Sequence, residues 1–177
     1  MKTITRIHLA LALCSSILCT TAFADTPENI DLKADASLAQ LNEVIPAELL
    51  NSAAGLLIFP TLVQTGFGDD GEYGEGTLRV MGKTVSYYVV DAESLGLQVG
   101  AQKKTLILFF NSESALSGFR EKDEWVAGTD GELKMYKPVS EDTETEYNQG
   151  ITALLIDKSG PIHNVTLKGS RFSKVSK

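Results

Sequence analysis

Cysteine is nearly absent from the sequence. The 177 residues include two cysteines, Cys14 and Cys19, and both lie among the first 24 residues. If those residues are removed, the rest of the chain can form no disulfide, no thiolate metal site and no cysteine nucleophile. A chain of about 150 residues buries roughly 68–70% of the surface that it exposes when unfolded, so it needs no covalent cross-link to fold.

Histidine is equally scarce, with His8 in the same N-terminal stretch and His163 as the second one. A catalytic zinc site usually takes two or three histidines, and a serine-histidine-aspartate triad would have to be built around His163. The nucleophile motif G-x-S-x-G does not occur. Paired carboxylates could serve glycoside hydrolysis in any acidic chain, but no spacing singles out one pair. We therefore expect no catalytic residues, no metal site, no cofactor and no enzyme activity.

Long apolar runs are missing too, since no segment reaches the roughly 20 residues that a bilayer-spanning helix needs. The apolar stretch at residues 7–19 follows Lys2 and Arg6 and precedes Ala22-Phe23-Ala24. A positive start, a short apolar region and small residues before the cut are typical of a cleaved secretory signal. We expect cleavage after Ala24. A leucine precedes each cysteine, where lipidation requires a small residue, so simple cleavage is favoured over a lipoprotein; an uncleaved membrane anchor is the other alternative.

Acidic residues dominate the chain after Ala24. Lys2 and Arg6 leave with the signal, so 14 of the 16 Lys and Arg residues remain against all 23 Asp and Glu residues, a net charge of −9. We expect no nucleic-acid partner, because such binding depends on neutralising many phosphates.

The last 20 residues differ from the rest, because they hold five basic residues and no acidic one. This basic C-terminal segment is either a solvated final strand or a contact surface for an anionic partner such as phospholipid headgroups. Its basic residues are Lys158, Lys168, Arg171, Lys174 and Lys177.

The hydrophobic pattern predicts a short helical N-terminus followed by many strands. Residues 28–54 repeat apolar side chains at helical spacing until Pro46, which should end the helix. Residues 112–120 predict one mid-chain helix with Ser112 as its N-cap. Strands are predicted at residues 55–63 with an irregularity at Pro60, 77–80, 84–90, 95–102, 106–110, 133–139, 151–156 and 162–167.

These elements predict an α+β fold with a mainly antiparallel, strongly curved sheet that curls toward a barrel. The polar and acidic residues 140–150 predict a surface loop. The aromatic residues expected in the core are Trp125, Tyr87, Tyr88, Phe109 and Phe110.

The glycine-rich segment from Gly66 to Gly76 carries two further patterns. Residues 66–71 match G-x-G-x-x-G, but no helix is predicted to follow and nearby carboxylates would repel a phosphate, so we do not expect nucleotide binding. We expect a tight turn in which glycine provides positive φ or close backbone approach. The acidic cluster offers oxygen ligands without the spacing of the usual calcium loop, so calcium binding stays open. Its members are Asp69, Asp70, Glu72 and Glu75.

Eight short segments occur in an order that one protein family shares. They are Ala54-Gly55-Leu56-Leu57-Ile58-Phe59-Pro60, Gly66-Phe67-Gly68, residues 71–78, Tyr87-Tyr88, residues 94–102, Ala115-Leu116-x-x-Phe119, Trp125-x-x-Gly128 and Gly169-Ser170. Together they resemble the SYLF domain, a lipid-binding module also known from yeast actin regulators, over about residues 53–172. The sequence departs from the family pattern at two places, and both changes weaken the inference that it shares the family's affinity for anionic lipids. Asp69-Asp70 stands where the family usually has two glycines, and Ser159-Gly160-Pro161 replaces a more usual Lys-Gly-Leu.

The resemblance, to secreted bacterial members of the family, implies a non-catalytic phospholipid-binding module of the periplasm and cell envelope. The chain would comprise a signal peptide at 1–24, a helical segment at 25–52 and a SYLF-like domain at 53–177. The candidate lipid-binding residues are Lys168, Arg171 and Lys174. The alternative is a structural or stress-related envelope protein that acts through a protein partner. Actin, a partner of the eukaryotic members, is not expected in a periplasm.

Overall fold

The structure is a computed structural model, and it describes residues 25–41, 44, 47–65, 71–92, 103–137 and 150–177. The expected signal peptide, Asp69, Asp70, the strand predicted at 95–102 and most of the loop predicted at 140–150 lie outside the described residues. The described elements are α1 (Pro27–Leu41), α2 (Ala47–Ser52), β1 (Gly55–Thr65), β2 (Gly71–Val80), β3 (Lys83–Ala92), β4 (Lys104–Phe110), α3 (Glu113–Arg120), β5 (Glu124–Val126), β6 (Leu133–Met135), β7 (Ile151–Asp157), β8 (Gly160–Ile162) and β9 (Arg171–Val175).

The nine described strands form one strongly curved sheet. Its order is β5-β9-β3-β2-β1-β4-β7-β6, with β8 also paired to β7, and only β6 runs parallel to its neighbour. Two strands separate β1 from β9, and neighbouring strands lie about 4.8 Å apart, yet the ring centroids of Phe59 and Phe172 are only 5.8 Å apart. The sheet therefore bends around these rings, and the predicted α+β fold with a curved, mainly antiparallel sheet is confirmed.

The concave face of the sheet holds the larger hydrophobic core, and α3 packs into it through Leu116 and Phe119. Ser112 caps α3 as predicted, because its side chain accepts a hydrogen bond of 3.1 Å from the backbone N–H of Ala115. The ring of Phe119 on α3 packs against four other aromatic rings at centroid distances of 5.0–6.2 Å. Those rings belong to Tyr88, Phe110, Trp125 and Phe172. The predicted aromatic core is confirmed for Trp125, Tyr88, Phe109 and Phe110, which are buried, whereas Tyr87 is half-buried.

Helices α1 and α2 cover the convex face of the sheet. Ala34 of α1 packs in a second core with Ile107 of β4. Asp31 of α1 also ties the helix to β3, because its carboxylate accepts hydrogen bonds from the Thr84 hydroxyl at 2.9 Å and the Tyr87 hydroxyl at 3.0 Å. The N-terminal helical segment is therefore docked on the sheet by apolar and polar contacts together.

Strand β2 begins at Gly71, six residues earlier than the sequence predicts. Gly74 and Gly76 lie in this strand, and neither has a positive φ. A Cβ at Gly76 would lie 2.5 Å from the backbone oxygen of Ile58 and 2.5 Å from Cδ1 of Phe59. The expected turn is therefore wrong for Gly71 to Gly76, while the close approach that glycine permits is confirmed.

The last strand also differs from the prediction. Residues 163–170 belong to no strand, and β9 follows them at Arg171–Val175. Gly169 has a φ of +89°, which interrupts an extended run. The strand predicted at 162–167 is therefore wrong beyond Ile162, and the basic C-terminal segment ends in a strand that sequence patterning did not locate.

The predicted irregularity at Pro60 is confirmed. The register of β1 with β2 shifts between Ile58 and Thr61, next to Pro60, which has no N–H for the strand ladder. The hairpin between β2 and β3 turns at Met81 and Gly82, whose φ angles are +51° and +74°. Such left-handed values suit a two-residue hairpin turn.

Candidate functional site

Lys168, Arg171 and Lys174 lie on β9 and in the turn that precedes it. The aliphatic stem of Lys168 lies against Gly128, where a Cβ would be 2.8 Å from the Lys168 Cγ. Arg171 begins β9, and Lys174 comes one residue before its end. All three side chains are exposed, so each is accessible to a partner.

Arg171 and Lys174 lie on opposite faces of β9, because side chains alternate along a strand. Phe172 is buried in the concave core, so Lys174 shares the concave side and Arg171 lies on the convex side. Arg171 also lies opposite Asp91 of β3 in the strand register. A cross-strand carboxylate offsets part of the Arg171 charge. The three candidate cations therefore do not form one flat patch.

Lys177, the fourth cation at this end of the chain, is engaged elsewhere. Its Nζ lies 2.9 Å from Oε1 of Glu75 and donates a hydrogen bond of 2.8 Å to the backbone oxygen of Asp25. The side chains of Lys177 and Glu75 are only 11% and 12% exposed. Lys177 is thus a structural lysine that contributes little to a surface field.

The described ion pairs are formed by cations other than the three candidate residues, and most of these pairs lie on or next to the sheet. The pairs join Lys33 to Asp25, Arg79 to Asp31 and Asp35, Lys104 to Glu72, Lys122 to Asp130, and Lys177 to Glu75. Across the described ranges of the chain, none of these pairs includes Lys168, Arg171 or Lys174. These three candidate residues therefore keep a positive charge that the described ion pairs do not neutralise.

The structure separates the two described members of the acidic cluster. Glu72 lies on the concave side of β2, where its carboxylate is bonded to Lys104, and Glu75 lies on the convex side with Lys177. No group of three or more His, Cys, Asp or Glu residues is placed to hold a metal ion within the described residues. Glu72 and Glu75 therefore cannot ligate one calcium ion together.

His163 has a structural contact in the turn after β8. Its ring nitrogen Nδ1 lies 2.9 Å from the backbone oxygen of Tyr136, just after β6. This hydrogen bond joins two segments that flank β7 on the same side of the sheet. The ring thus supports the edge of the fold.

A groove of about 440 Å³ lies between α1 and the turn that joins β7 to β8. Ser37 and Gln40 line it from α1, and Lys158 lines it from the turn. Lys158 is the first basic residue of the basic C-terminal segment, and β7 is at the far end of the sheet from β9. The structure therefore places Lys158 beside β7 and the other basic residues of that segment on or next to β9, with four strands between β7 and β9 in the sheet order.

Comparisons with known proteins add no family assignment. No protein-family model matches the chain, and no curated protein matches it. The resemblance to the SYLF domain therefore stays a prediction. Of the helices that the structure describes, none combines the length and the apolar character needed to cross a bilayer.

Proposed function

We propose that the protein is a non-catalytic phospholipid-binding module of the periplasm and cell envelope, which contacts anionic headgroups through Lys168, Arg171 and Lys174. One observation carries this proposal. The three exposed cations fall within seven consecutive residues on or next to β9, the second strand of the sheet order, outside all described ion pairs, on an otherwise acidic chain. An acidic protein needs such a local positive field to approach an anionic surface.

The free energy that these three charges can contribute corresponds to weak docking. Each basic residue near an anionic membrane contributes about 1 kcal/mol, so the three offer up to about 3 kcal/mol before repulsion from the acidic body. The attraction extends over a Debye length of about 8 Å at physiological salt. Docking of this kind is reversible and salt-sensitive, and it is too weak for a permanent anchor.

The alternation along β9 constrains how a membrane would meet the protein. A surface that approaches the convex face would reach Arg171 but not Lys174. A surface that approaches along the edge at β5 would reach both, together with Lys168 in the neighbouring turn. Single substitutions of Arg171 and Lys174 therefore distinguish a face-on from an edge-on contact.

Replacing Lys168, Arg171 and Lys174 together with glutamine is expected to abolish most binding to anionic vesicles. The measurement is flotation of the exported, processed protein with vesicles of phosphatidylglycerol in phosphatidylcholine at low salt. Vesicles of phosphatidylcholine alone and a high-salt sample should both release the parent protein, because the attraction depends on unscreened charge.

A matched variant controls for net charge. Replacing Lys83, Lys134 and Lys158 with glutamine removes the same three charges from other exposed positions, and this variant should float like the parent. Equal losses in both triple variants, or full binding by the β9 variant, would show that β9 is not the site. A parent protein that floats with no vesicle would reject the lipid function and favour the role through a protein partner.

A further inference from the structure

We propose that Glu75 is the binding site for the chain's own α-ammonium group, which cleavage after Ala24 would create at Asp25. In the structure the backbone nitrogen of Asp25 already donates a hydrogen bond of 2.8 Å to Oε2 of Glu75. Cleavage would turn this neutral amide into a cation at the same place. A charge-assisted hydrogen bond to a carboxylate is roughly twice as strong as a neutral one.

Asp25 is held at every one of its polar atoms. Its backbone oxygen accepts a hydrogen bond from Lys177 at 2.8 Å, and its two carboxylate oxygens accept from Asn29 and Lys33, each at 2.6 Å. The hydrogen bond from Lys33 lowers the pKa of the Asp25 carboxyl from its ordinary value. The residue that would become the N-terminus is therefore fixed in place before any charge is added.

Little chain separates Asp25 from the first helix. The hydroxyl of Thr26 accepts a hydrogen bond of 3.3 Å from the backbone N–H of Asn29, and α1 begins at Pro27. A threonine before the helix and a proline at its first position are typical of a helix start. A cationic N-terminus beside the positive end of a helix is unfavourable by itself, which gives Glu75 a specific role as its counter-charge.

Glu75 would then join the new N-terminus at Asp25 to Lys177, which follows β9. Its Oε1 holds Nζ of Lys177 at 2.9 Å, and its Oε2 would hold the new ammonium of Asp25. The side chains of Glu75 and Lys177 are only 12% and 11% exposed, so water reaches the Glu75 carboxylate poorly. We call this arrangement, in which Glu75 binds both Asp25 and Lys177, the clasp. Cleavage after Ala24 would complete the clasp and stabilise the mature protein relative to any chain with residues still attached before Asp25.

The test inserts Gly-Ser between Ala24 and Asp25 in the full-length gene and exports both proteins. Cleavage after Ala24 leaves Gly-Ser ahead of Asp25, so the Asp25 backbone N–H still donates its hydrogen bond to Glu75 but the ammonium moves away. The insertion is expected to lower the Tm by roughly 3 °C, a typical size for the loss of one charged contact in a chain of this length. Intact-mass measurement establishes the N-terminus of each protein.

Two carboxylate variants show whether Glu75 is responsible. In the Glu75→Gln background the Gly-Ser insertion should no longer lower the Tm, because the counter-charge is gone and the ammonium is unfavourable beside the positive end of α1. In the Glu28→Gln background the insertion should act as in the parent, since Glu28 is an exposed carboxylate in the first turn of α1 without a contact to Asp25.

A pH series adds a readout that a purely steric effect of the insertion would not move. The groups that face the ammonium are Glu75 and Tyr73 from β2, Lys33 and the carboxylate of Asp25 from the N-terminal segment, and Lys177 from the residues after β9. An α-amino group ordinarily titrates at about 7.7–8.0, and the Glu75 carboxylate would raise that pKa. The stabilisation should therefore be complete below about pH 7.5 and disappear as the pH rises through the raised value.

Three results would overturn the clasp. They are a mass that retains residues 1–24, an insertion that leaves the Tm unchanged, and an insertion that lowers the Tm equally in the Glu75→Gln background. None of these depends on vesicle binding, so failure of the clasp and failure of the lipid function are separate outcomes.

Discussion

Replacing Gly76 with alanine is expected to destabilise the domain by about 2–3 kcal/mol, the upper part of the usual range for an overpacked core. The new Cβ would lie 2.5 Å from the backbone oxygen of Ile58 and 2.5 Å from Cδ1 of Phe59. Neither neighbour can yield easily, since Ile58 is part of the β1 ladder and the Phe59 ring packs against Phe172. In a chain of this size the loss corresponds to a Tm roughly 4–12 °C lower in thermal unfolding.

Gly118→Ala is the matched control for this prediction. Gly118 lies on the exposed side of α3, and a Cβ there would meet nothing within 4 Å. Alanine in a helix is more stable than glycine by about 0.5–1 kcal/mol, so this variant should melt slightly above the parent. A Gly76→Ala protein that melts with the parent would mean that β1 and β2 do not approach as closely as the structure places them.

The course of β2 shows why sequence patterning located some strands and missed the start of this one. Leu106 to Phe110 forms an apolar run, and its position as β4 was predicted from those residues alone. Gly71 to Gly76 has no such run, because two of its three inward positions, Gly74 and Gly76, carry glycine where Leu62 and Phe59 of β1 fill the space. The signal for a strand therefore lay in the side chains of the neighbouring strand, which local patterns cannot supply.

The same limit applies to β9. Among its five residues only Phe172 is buried, so the segment shows little alternation of apolar and polar residues. Its place is set by pairing with β3 and β5, which are distant in sequence. The basic residues of the candidate site were identified from charge alone. That Arg171 and Lys174 lie on opposite faces, and that Lys177 contacts Glu75, could be seen only from the way β9 pairs in the sheet.

A buried ion pair inside the sheet also could not be predicted from the sequence. Glu72 of β2 and Lys104 of β4 lie on either side of β1, and their side chains are only 8% and 11% exposed. Their charged groups are hydrogen-bonded to each other, while Oε2 of Glu72 is buried without a partner among the described residues. Burying two charges costs solvation energy that their mutual attraction does not always repay. The pair therefore contributes less to stability than its contact suggests, yet either member alone would be costly.

Replacing Lys104 with methionine is expected to destabilise the protein by about 3–5 kcal/mol, because it leaves the Glu72 carboxylate buried and uncompensated. Methionine keeps much of the lysine's volume, so the loss would come from charge rather than from a cavity. The double variant Glu72→Leu with Lys104→Met should recover to near the parent stability, since replacing both charges with apolar groups is often neutral or stabilising. Denaturant unfolding of the parent, the two single variants and the double variant measures the coupling. A double variant as unstable as Lys104→Met alone would show that the pair is a net stabiliser of the sheet, and the inference about its desolvation would be wrong.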